Sequence, residues 1–188
     1  MISRYFIDIP WVVLLVYWAV RAFKTRQTQT RETVPSRLLI MAMLIVGYVL
    51  LFADAAKIGF LHERILMPTW PLAIVGIALT WAGIALCLWA RWHLGEYWSA
   101  RITIKEDHQL IRTGPYARLR HPIYSGFELA ALGTAGAIDR WGCLIALLFI
   151  VAAYSIKAKK EEKMLAARFG EAFRKHCQRT GFLLPKFG

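Results

Sequence analysis

An apolar run of 19 residues, Leu72 to Ala90, contains no charged side chain and constrains the fold more than any other feature. As a helix, a run of this length matches the hydrocarbon thickness of a bilayer. Trp70 precedes the run, and Arg91 and Trp92 follow it, as expected for residues that anchor a helix at the two membrane interfaces. The run therefore predicts a transmembrane helix, and the rest of the chain must fold around a membrane.

Four other apolar blocks alternate with charged stretches, which gives five predicted spans in total. A composition of 57% apolar and only 19% charged residues argues against an ordinary soluble domain. The last two blocks are separated by Asp139-Arg140 alone, so they must form an antiparallel helical hairpin. We predict an all-α, polytopic membrane helix bundle of about five transmembrane helices, whose other four spans are Ile9 to Phe23, Leu38 to Ala56, Ile123 to Ile138 and Trp141 to Ile156.

Every second polar segment along the chain is rich in Lys and Arg. These segments, which are residues 21–37, residues 91–120 and the tail from Lys157, contain 20 of the 24 basic residues. Because Lys and Arg concentrate on the cytosolic side of membrane proteins, this pattern places these segments in the cytosol and the N-terminus outside. In a bacterium the chain would lie in the inner membrane. The pattern also accounts for the net charge of +12 without a nucleic-acid partner. No metal is expected, because the three Cys residues lack metal-ligand spacing.

A polar junction precedes the fourth span and ends in His121-Pro122-Ile123-Tyr124. Pro122 suits the first turn of a helix, where its missing N–H leaves no hydrogen bond unmade. The unpaired N–H groups of that turn, together with Arg118, Arg120 and His121, favour a bound carboxylate or phosphate. The same residues also suit anchoring at lipid headgroups, and composition alone does not separate these alternatives.

Carboxylates occur at two places close to this junction. Glu128 lies one to two turns into the fourth span, on the same helix face as Tyr124, and an unpaired carboxylate at this depth is costly. It is therefore either a functional residue or one half of a structural pair. Glu161 and Glu162 follow the fifth span, and the hairpin brings residues 157–162 beside residues 116–124. This proximity predicts a shared site, although a solvated helix face with local ion pairs also fits Glu161 and Glu162.

The tail from Lys157 to Arg179 is charged and rich in residues that favour helix. Its larger apolar residues recur near helical spacing, which predicts an amphipathic helix packed on the bundle or the membrane. Those residues are Met164, Leu165, Phe169 and Phe173. Such a helix, with the loop before the fourth span, would cover a pocket on the cytosolic side.

The second half of the chain also carries a spaced set of motifs. In chain order they are Leu94-Gly95-x-x-Trp98-Ser99, Ile102-x-Ile104, His108-x-Leu110, Gly114-Pro115-Tyr116, Arg120-His121-Pro122-x-Tyr124-x-Gly126, Glu161-Glu162 and Phe169-Gly170. Taken together, they resemble the isoprenylcysteine carboxyl methyltransferase family and, more distantly, the membrane phospholipid methyltransferases. We accordingly divide the chain into three N-terminal membrane spans (residues 1–93) and a cofactor-binding methyltransferase half (residues 94–188).

The resemblance implies S-adenosylmethionine as the methyl donor, bound on the cytosolic side beneath the loop and the tail. Lys157 occupies the position at which the eukaryotic enzymes have an arginine that contacts substrate. We therefore predict Glu161 and Lys157 as catalytic residues, and Lys157 and Glu128 as substrate-binding residues. The cofactor contacts of the family fall on Arg101, His108, Leu110, Ile111, Tyr116, His121, Pro122, Tyr124 and Glu161.

The implied reaction is a direct displacement at the sulfonium methyl group, with a small lipophilic or amphiphilic acceptor that enters from the bilayer. A carboxylate acceptor is ionised at pH 7 and needs no general base, whereas an amine acceptor must first lose a proton. Three alternatives to a carboxyl methyltransferase stay open. They are a phospholipid N-methyltransferase-like enzyme, a membrane reductase that uses a nicotinamide dinucleotide, and a non-enzymatic membrane protein.

Overall fold

In a computed structural model of the chain, helices occupy all five apolar blocks. They are α1 (Tyr5–Arg21), α2 (Val34–Phe52), α3 (Trp70–Leu94), α4 (Pro122–Ile138) and α5 (Trp141–Phe169), followed by a shorter α6 (Glu171–Arg179). The prediction of an all-α fold is confirmed. The structure describes residues 4–21, 28–31, 34–52, 59–66, 69–95, 98, 103–105 and 110–186, with the backbone alone for 28–31 and 103–105.

Three of these helices, α2, α3 and α5, are long and apolar enough to cross a membrane. The other two, α1 and α4, have 17 residues each. That is about 25 Å of helix, close to the minimum for a hydrocarbon core of about 30 Å. A complete crossing by α1 and by α4 therefore stays a prediction. The first helix also begins earlier than expected, at Tyr5, so Pro10 lies inside it.

The fifth helix does not end where its apolar run ends. It continues past Ile156 through a charged stretch to Phe169, for a total of 29 residues, or about 43 Å. The Ala, Lys and Glu residues in this stretch favour helix, so the chain has no local reason to break there. Gly170 ends the helix with a φ of 50°, a conformation that glycine adopts more readily than other residues. The charged half of α5 therefore projects beyond the apolar layer.

The three basic segments meet at one end of the bundle, which we call the basic face. There, strand β1 (Thr28–Arg31) pairs antiparallel with strand β2 (Thr103–Lys105), a short two-stranded sheet that the sequence analysis did not predict. Lys160 of α5 donates a hydrogen bond to Ser36 at the start of α2. That these segments share a side is thus confirmed, whereas the identity of that side as cytosolic stays a prediction.

Helices α3 and α4 approach closely because glycines face glycines across their interface. A Cβ atom on Gly76 would lie 2.6 Å from the Gly133 carbonyl oxygen, and one on Gly126 would lie 2.7 Å from the Gly83 carbonyl oxygen. Between these contacts, Thr80 donates to the carbonyl oxygen of Gly76, one turn earlier in its own helix. Small residues of this kind allow membrane helices to pack backbone against backbone.

The remaining helices surround this pair. Trp11 of α1 donates from Nε1 to Oγ1 of Thr134 in α4 at 3.0 Å, which ties the N-terminal helix to the centre of the bundle. Helix α5 packs mainly against α2 and meets its hairpin partner α4 less closely. The hairpin predicted from the Asp139-Arg140 turn is confirmed, with Asp139 in the left-handed conformation at φ 57°.

The close approach of α3 and α4 predicts that a single methyl group at Gly83 destabilises the fold. Its Cβ would lie 2.9 Å from the Cα of Ala130 and 2.5 Å from the carbonyl oxygen of Gly126, so the helices must separate. We expect Gly83→Ala to cost about 1–3 kcal/mol and to lower the unfolding temperature of the purified protein in detergent.

Gly136→Ala is the matched control, because a Cβ at Gly136 meets nothing within 4 Å. This second substitution should be neutral or slightly stabilising, since alanine favours helix over glycine. Equal unfolding temperatures for the two variants would contradict the proposed packing.

Candidate active site

The loop before α4 is built around a tight turn. Gly114 has a φ of 57° and lies against the His93 side chain, so that any Cβ at this position would clash with the imidazole ring. A short 3₁₀ helix, Gly114–Ala117, follows and buries Tyr116 in the core. Burial raises the pKa of Tyr116, so its hydroxyl stays protonated. The turn therefore positions the neutral side chain of Tyr116 in the core, on the buried side of the loop.

Four charged side chains meet where α4 begins and α5 leaves the apolar layer. Arg120 and His121 come from the loop, and Glu161 and Glu162 come from the charged half of α5. Imidazole Nδ1 of His121 lies 3.5 Å from Oε2 of Glu161, and its Nε2 lies 3.3 Å from Oε1 of Glu162. Arg120 donates from Nε to the same oxygen of Glu162 at 2.5 Å. We call these four residues the charge cluster.

The charge cluster sets the ionisation of its own members. Burial alone would lower the pKa of His121, but its hydrogen bonds to Glu161 and Glu162 raise it above the ordinary value. Burial would likewise raise the pKa of Glu161, but His121 and the charge of Lys157 hold it below the ordinary value. At neutral pH both glutamates are therefore ionised, and proton binding to His121 is favoured.

Tyr124 joins the charge cluster to the membrane part of the site. Its hydroxyl donates to Oε1 of Glu161 at 2.5 Å, and its ring stacks on that of His121 with centroids 5.6 Å apart. The Nζ atom of Lys157 lies 5.3 Å from the centre of the Tyr124 ring, within cation–π range. Each of these side chains comes from α4, its N-cap or α5, so the hairpin alone brings them together.

Tyr124 and five further aromatic rings form a connected set that extends from the charge cluster into the bundle. Tyr154 stacks on Tyr124 at 5.1 Å and on Phe127 at 5.3 Å, and its hydroxyl lies 3.2 Å from that of Tyr48. Trp18 bridges from Phe127 to Trp98 at the basic face. We call this set the aromatic cluster; its members are Trp18, Tyr48, Trp98, Tyr124, Phe127 and Tyr154. Helices α1 and α2 therefore contribute to the site, as well as α4 and α5.

The C-terminal segment after α6 closes the charge cluster from above. Leu119 and Gly181 form a parallel bridge, and Arg120 donates from a terminal nitrogen to the Thr180 carbonyl oxygen at 2.6 Å. Phe182 then packs edge-on against His121, with ring centroids 5.4 Å apart. The sequence analysis missed this segment. The signal available was an apolar Gly-Phe-Leu-Leu-Pro stretch directly after a charged helix.

Glu128 behaves differently from the other carboxylates. It lies one turn further into α4 than Tyr124, and its Oε1 atom is buried without a hydrogen-bond partner among the described residues. The role of Glu128 as a substrate-binding residue therefore stays a prediction.

The structure brings most of the predicted site residues together. His121, Tyr124 and Glu161 contact one another, and the Nζ atom of Lys157 lies over the Tyr124 ring. Pro122 lies in the first turn of α4, as expected. Ile111 and Tyr116 pack in the same core cluster as Tyr124, and Leu110 lies half-buried beside them in the chain. Arg101 and His108 lie outside the described residues.

Arg120 belonged to the predicted anion site and Glu162 to the predicted shared site, but neither was among the predicted catalytic, cofactor-binding or substrate-binding residues. The structure places both in the charge cluster, where Arg120 is occupied by Glu162 and by carbonyl oxygens of the tail. The predicted anion site at Arg118, Arg120 and the start of α4 is therefore partly filled by the protein itself.

The sequence profile of the isoprenylcysteine carboxyl methyltransferase family matches residues 74–167, which is half of the chain and includes α3, the junction and the charged half of α5. The chain belongs to this family. The match begins within α3, earlier than the motifs that suggested the resemblance. The predictions of the family and of a membrane methyltransferase are thereby confirmed.

Named relatives agree with this assignment. A probable protein-S-isoprenylcysteine O-methyltransferase of Oryza sativa subsp. japonica is 27% identical over 151 residues, which cover 77% of this chain and 79% of the relative. The protein-S-isoprenylcysteine O-methyltransferase of Schizosaccharomyces pombe is 31% identical over 81 residues, which cover 43% of this chain and 34% of the relative.

A solved structure of a eukaryotic intramembrane Ras methyltransferase has the same fold, with a TM-score of 0.53 and 21% identity. The similarity covers 82% of this chain and 53% of that structure, so the chain spans about half the length of the eukaryotic protein.

The His121 pairing predicts a pH-dependent contribution to stability. Because the pKa of His121 is raised in the folded state, its contribution is fully present below the unfolded pKa of about 6.5. It is lost as the pH rises through the higher folded pKa. We expect the unfolding temperature of the wild-type protein to fall over this range, and the fall to be smaller in His121→Gln.

His62→Gln provides the control, because His62 lies in the 3₁₀ helix before α3, away from the charge cluster. This control variant should retain the full pH dependence of the wild-type protein. The His121 assignment fails if both variants follow the same pH curve.

Proposed function

We propose that the chain transfers a methyl group from S-adenosylmethionine to the carboxylate of a lipophilic, thioether-bearing acceptor that enters from the bilayer. The observation that carries this proposal is the position of the charge cluster, directly above an aromatic cluster at membrane level. Such an arrangement suits a polar methyl donor on one side and an apolar acceptor on the other. The charge cluster also lies within residues 74–167, which the family profile matches, and this supports methyl transfer as the reaction.

The residues present fit S-adenosylmethionine. Its sulfonium and ammonium groups require carboxylates or aromatic faces, which Glu161, Tyr124 and Tyr116 supply. Its carboxylate requires hydrogen-bond donors, and the unpaired N–H groups at the start of α4 are suitable. Phe182, which is half-buried and packs against His121, would help to shield the bound molecule from water. Arg101 and His108 stay proposed contacts by resemblance alone.

S-adenosylmethionine would supply an electrophilic methyl group on a positively charged sulfur. The chain's own residues would hold the acceptor in line with that methyl and keep water away. Lys157 is placed to attract the acceptor carboxylate, because its Nζ atom lies over the Tyr124 ring at the boundary between the two clusters. Because a carboxylate is already ionised at neutral pH, this reaction needs no general base.

The aromatic cluster is suited to the apolar part of the acceptor. Its rings come from α1, α2, α4 and α5, with Trp98 at the basic face, and those on the helices would present apolar faces to the acceptor. Exposed apolar residues on α1 and α2, such as Leu15 and Val46, face the hydrocarbon. We propose that the charge cluster faces the cytosol and that the acceptor reaches it laterally from the bilayer.

Loss of the Glu161 carboxylate should weaken cofactor binding without unfolding the protein. A hydrogen bond to a charged group contributes about 1.5–3 kcal/mol, so Glu161→Gln should reduce the affinity for S-adenosylmethionine about ten- to hundredfold. Calorimetry with the purified protein measures this affinity. Glu171→Gln, on the exposed surface of α6, is a matched control and should bind as the wild type does.

The same calorimetry tests the proposed methyl donor. Binding of S-adenosylmethionine and of its demethylated product supports it, and an absence of binding by both would contradict it. Unchanged affinity in Glu161→Gln would remove Glu161 from the cofactor site.

A further inference from the structure

The chain after α6 forms a closed loop, residues 181–186, which we call the C-terminal loop. Both of its ends bind one backbone oxygen, because the N–H groups of Gly181 and Lys186 donate to the carbonyl oxygen of Arg118 at 2.9 Å and 3.4 Å. The N–H group of Arg120 donates in turn to the Gly181 carbonyl oxygen at 2.9 Å. The residues between the two ends are therefore displaced from this base. They are the apolar Phe182, Leu183, Leu184 and Pro185.

The middle of the C-terminal loop extends toward the membrane. Oγ of Ser125 donates to the carbonyl oxygen of Leu183 at 2.7 Å, and Ser125 completes the first turn of α4. The ring of the neighbouring Tyr124 lies 5.3 Å from Nζ of Lys157, the first charged residue after the apolar run of α5. The loop thus runs from Arg118, which precedes α4, to the boundary of the apolar layer and then returns.

Leu184 is the exposed apolar residue of the C-terminal loop. It is 80% exposed, whereas Phe182 and Leu183 pack against the hydrophobic core. Leucine is more stable in an apolar medium than in water, and the hydrocarbon of the bilayer is the apolar medium available at this level. Exposed basic residues, Arg118 and Lys186, lie at the base of the loop. An apolar tip with a basic base suits a segment that lies in the membrane interface, with its cations near lipid phosphates.

From these observations we propose that Leu184 inserts into the lipid bilayer and anchors the C-terminal loop at the membrane surface. The partner of this loop is the acyl-chain region just beneath the headgroups. Because the same loop carries Phe182, whose ring packs on His121, the lipid contact also holds the cover of the charge cluster in place. The lipid contact is independent of the proposed function, whereas its effect on cofactor affinity rests on that function.

The depth of a fluorophore in the bilayer tests the lipid contact. Leu184→Cys and Ala167→Cys are prepared in a Cys177→Ser background, since the other two cysteines are buried, and are labelled with nitrobenzoxadiazole in lipid nanodiscs. Ala167 is the control, because it is exposed on α5 about 16 Å along the helix beyond Ile156. Phospholipids with a nitroxide near the top of the acyl chain should quench the probe at position 184 at least about threefold more strongly than the probe at position 167.

Two outcomes of this measurement overturn the lipid contact. Equal quenching at the two positions would place the side chain of Leu184 in the aqueous phase. A probe at position 184 that emits at the wavelength of the free fluorophore in water would have the same meaning.

The effect on the site is measured by calorimetry of S-adenosylmethionine binding in nanodiscs. An aspartate does not stay in hydrocarbon, so in Leu184→Asp the loop leaves the membrane and Phe182 is held less firmly on His121. The affinity should then fall about three- to tenfold. Leu184→Met keeps an apolar side chain and should retain the wild-type affinity, as should the control Ala167→Asp. Because Leu184 is exposed, these variants remove no core contact, and we expect them to fold.

The two measurements separate failure of this inference from failure of the proposed function. Equal affinities of the wild type and Leu184→Asp would refute the effect of the lipid contact on the site, even with the probe quenched. An equal loss of affinity in Leu184→Met would refute it as well, because that variant keeps the apolar contact. If the wild-type protein binds no S-adenosylmethionine, the proposed function fails, and the quenching result still decides whether Leu184 lies in the bilayer.

Discussion

Glu161 and Glu162 lie where α5 leaves the apolar layer, and their charges must be neutralised within the protein. His121 contacts both, with one ring nitrogen toward each carboxylate, and Arg120 contacts Glu162 from the same loop. Because these partners come from the residues just before α4, the ion pairs fix the hairpin at its open end. The C-terminal segment then binds to Arg120 and Phe182 covers His121, so the closure of the site also depends on these pairs.

The position of α4 has a second cause, which is its glycine contact with α3. Gly126 and Gly133 allow α4 to lie backbone against backbone on α3, whereas α5 packs mainly on α2. The two helices of the hairpin therefore meet less closely, and the large rings of Tyr124, Phe127 and Tyr154 occupy the space between them. A tight contact on one side of α4 thus leaves room for an aromatic, membrane-level site on the other.

The sequence predicted those features that depend on local pattern. The apolar runs located five helices, and the two-residue turn at Asp139-Arg140 predicted that Glu161 would lie beside His121. The sequence predicted a membrane span to Ile156 and a helical tail after it, but not that the two form one continuous helix, because the loss of hydrophobicity at Ile156 does not break the helix. The helix continues until Gly170 supplies a residue that tolerates the terminal conformation.

Long-range contacts of the loops and the tail could not be predicted in this way. The pairing of β1 with β2 joins residues about 75 positions apart, in short polar segments with no alternating pattern. The contact of Phe182 with His121 depends on how α6 turns back after Gly170, which sequence spacing does not specify. The participation of Tyr48 and Trp18 follows from the packing of α1 and α2, and neither helix carries a motif that marks it as part of a site.

The three carboxylates near the junction differ in the partners that the fold gives them. Glu161 and Glu162 each have several partners from the chain, so each contributes to stability as well as to any chemistry. These partners come from the loop before α4 and from α4 itself, so the charges of α5 are neutralised only when the hairpin is closed. Glu128 lies within α4, and its buried Oε1 atom has no hydrogen-bond partner among the described residues. The fold therefore stabilises the two charges at the end of the hairpin, whereas burial of the Glu128 oxygen opposes folding.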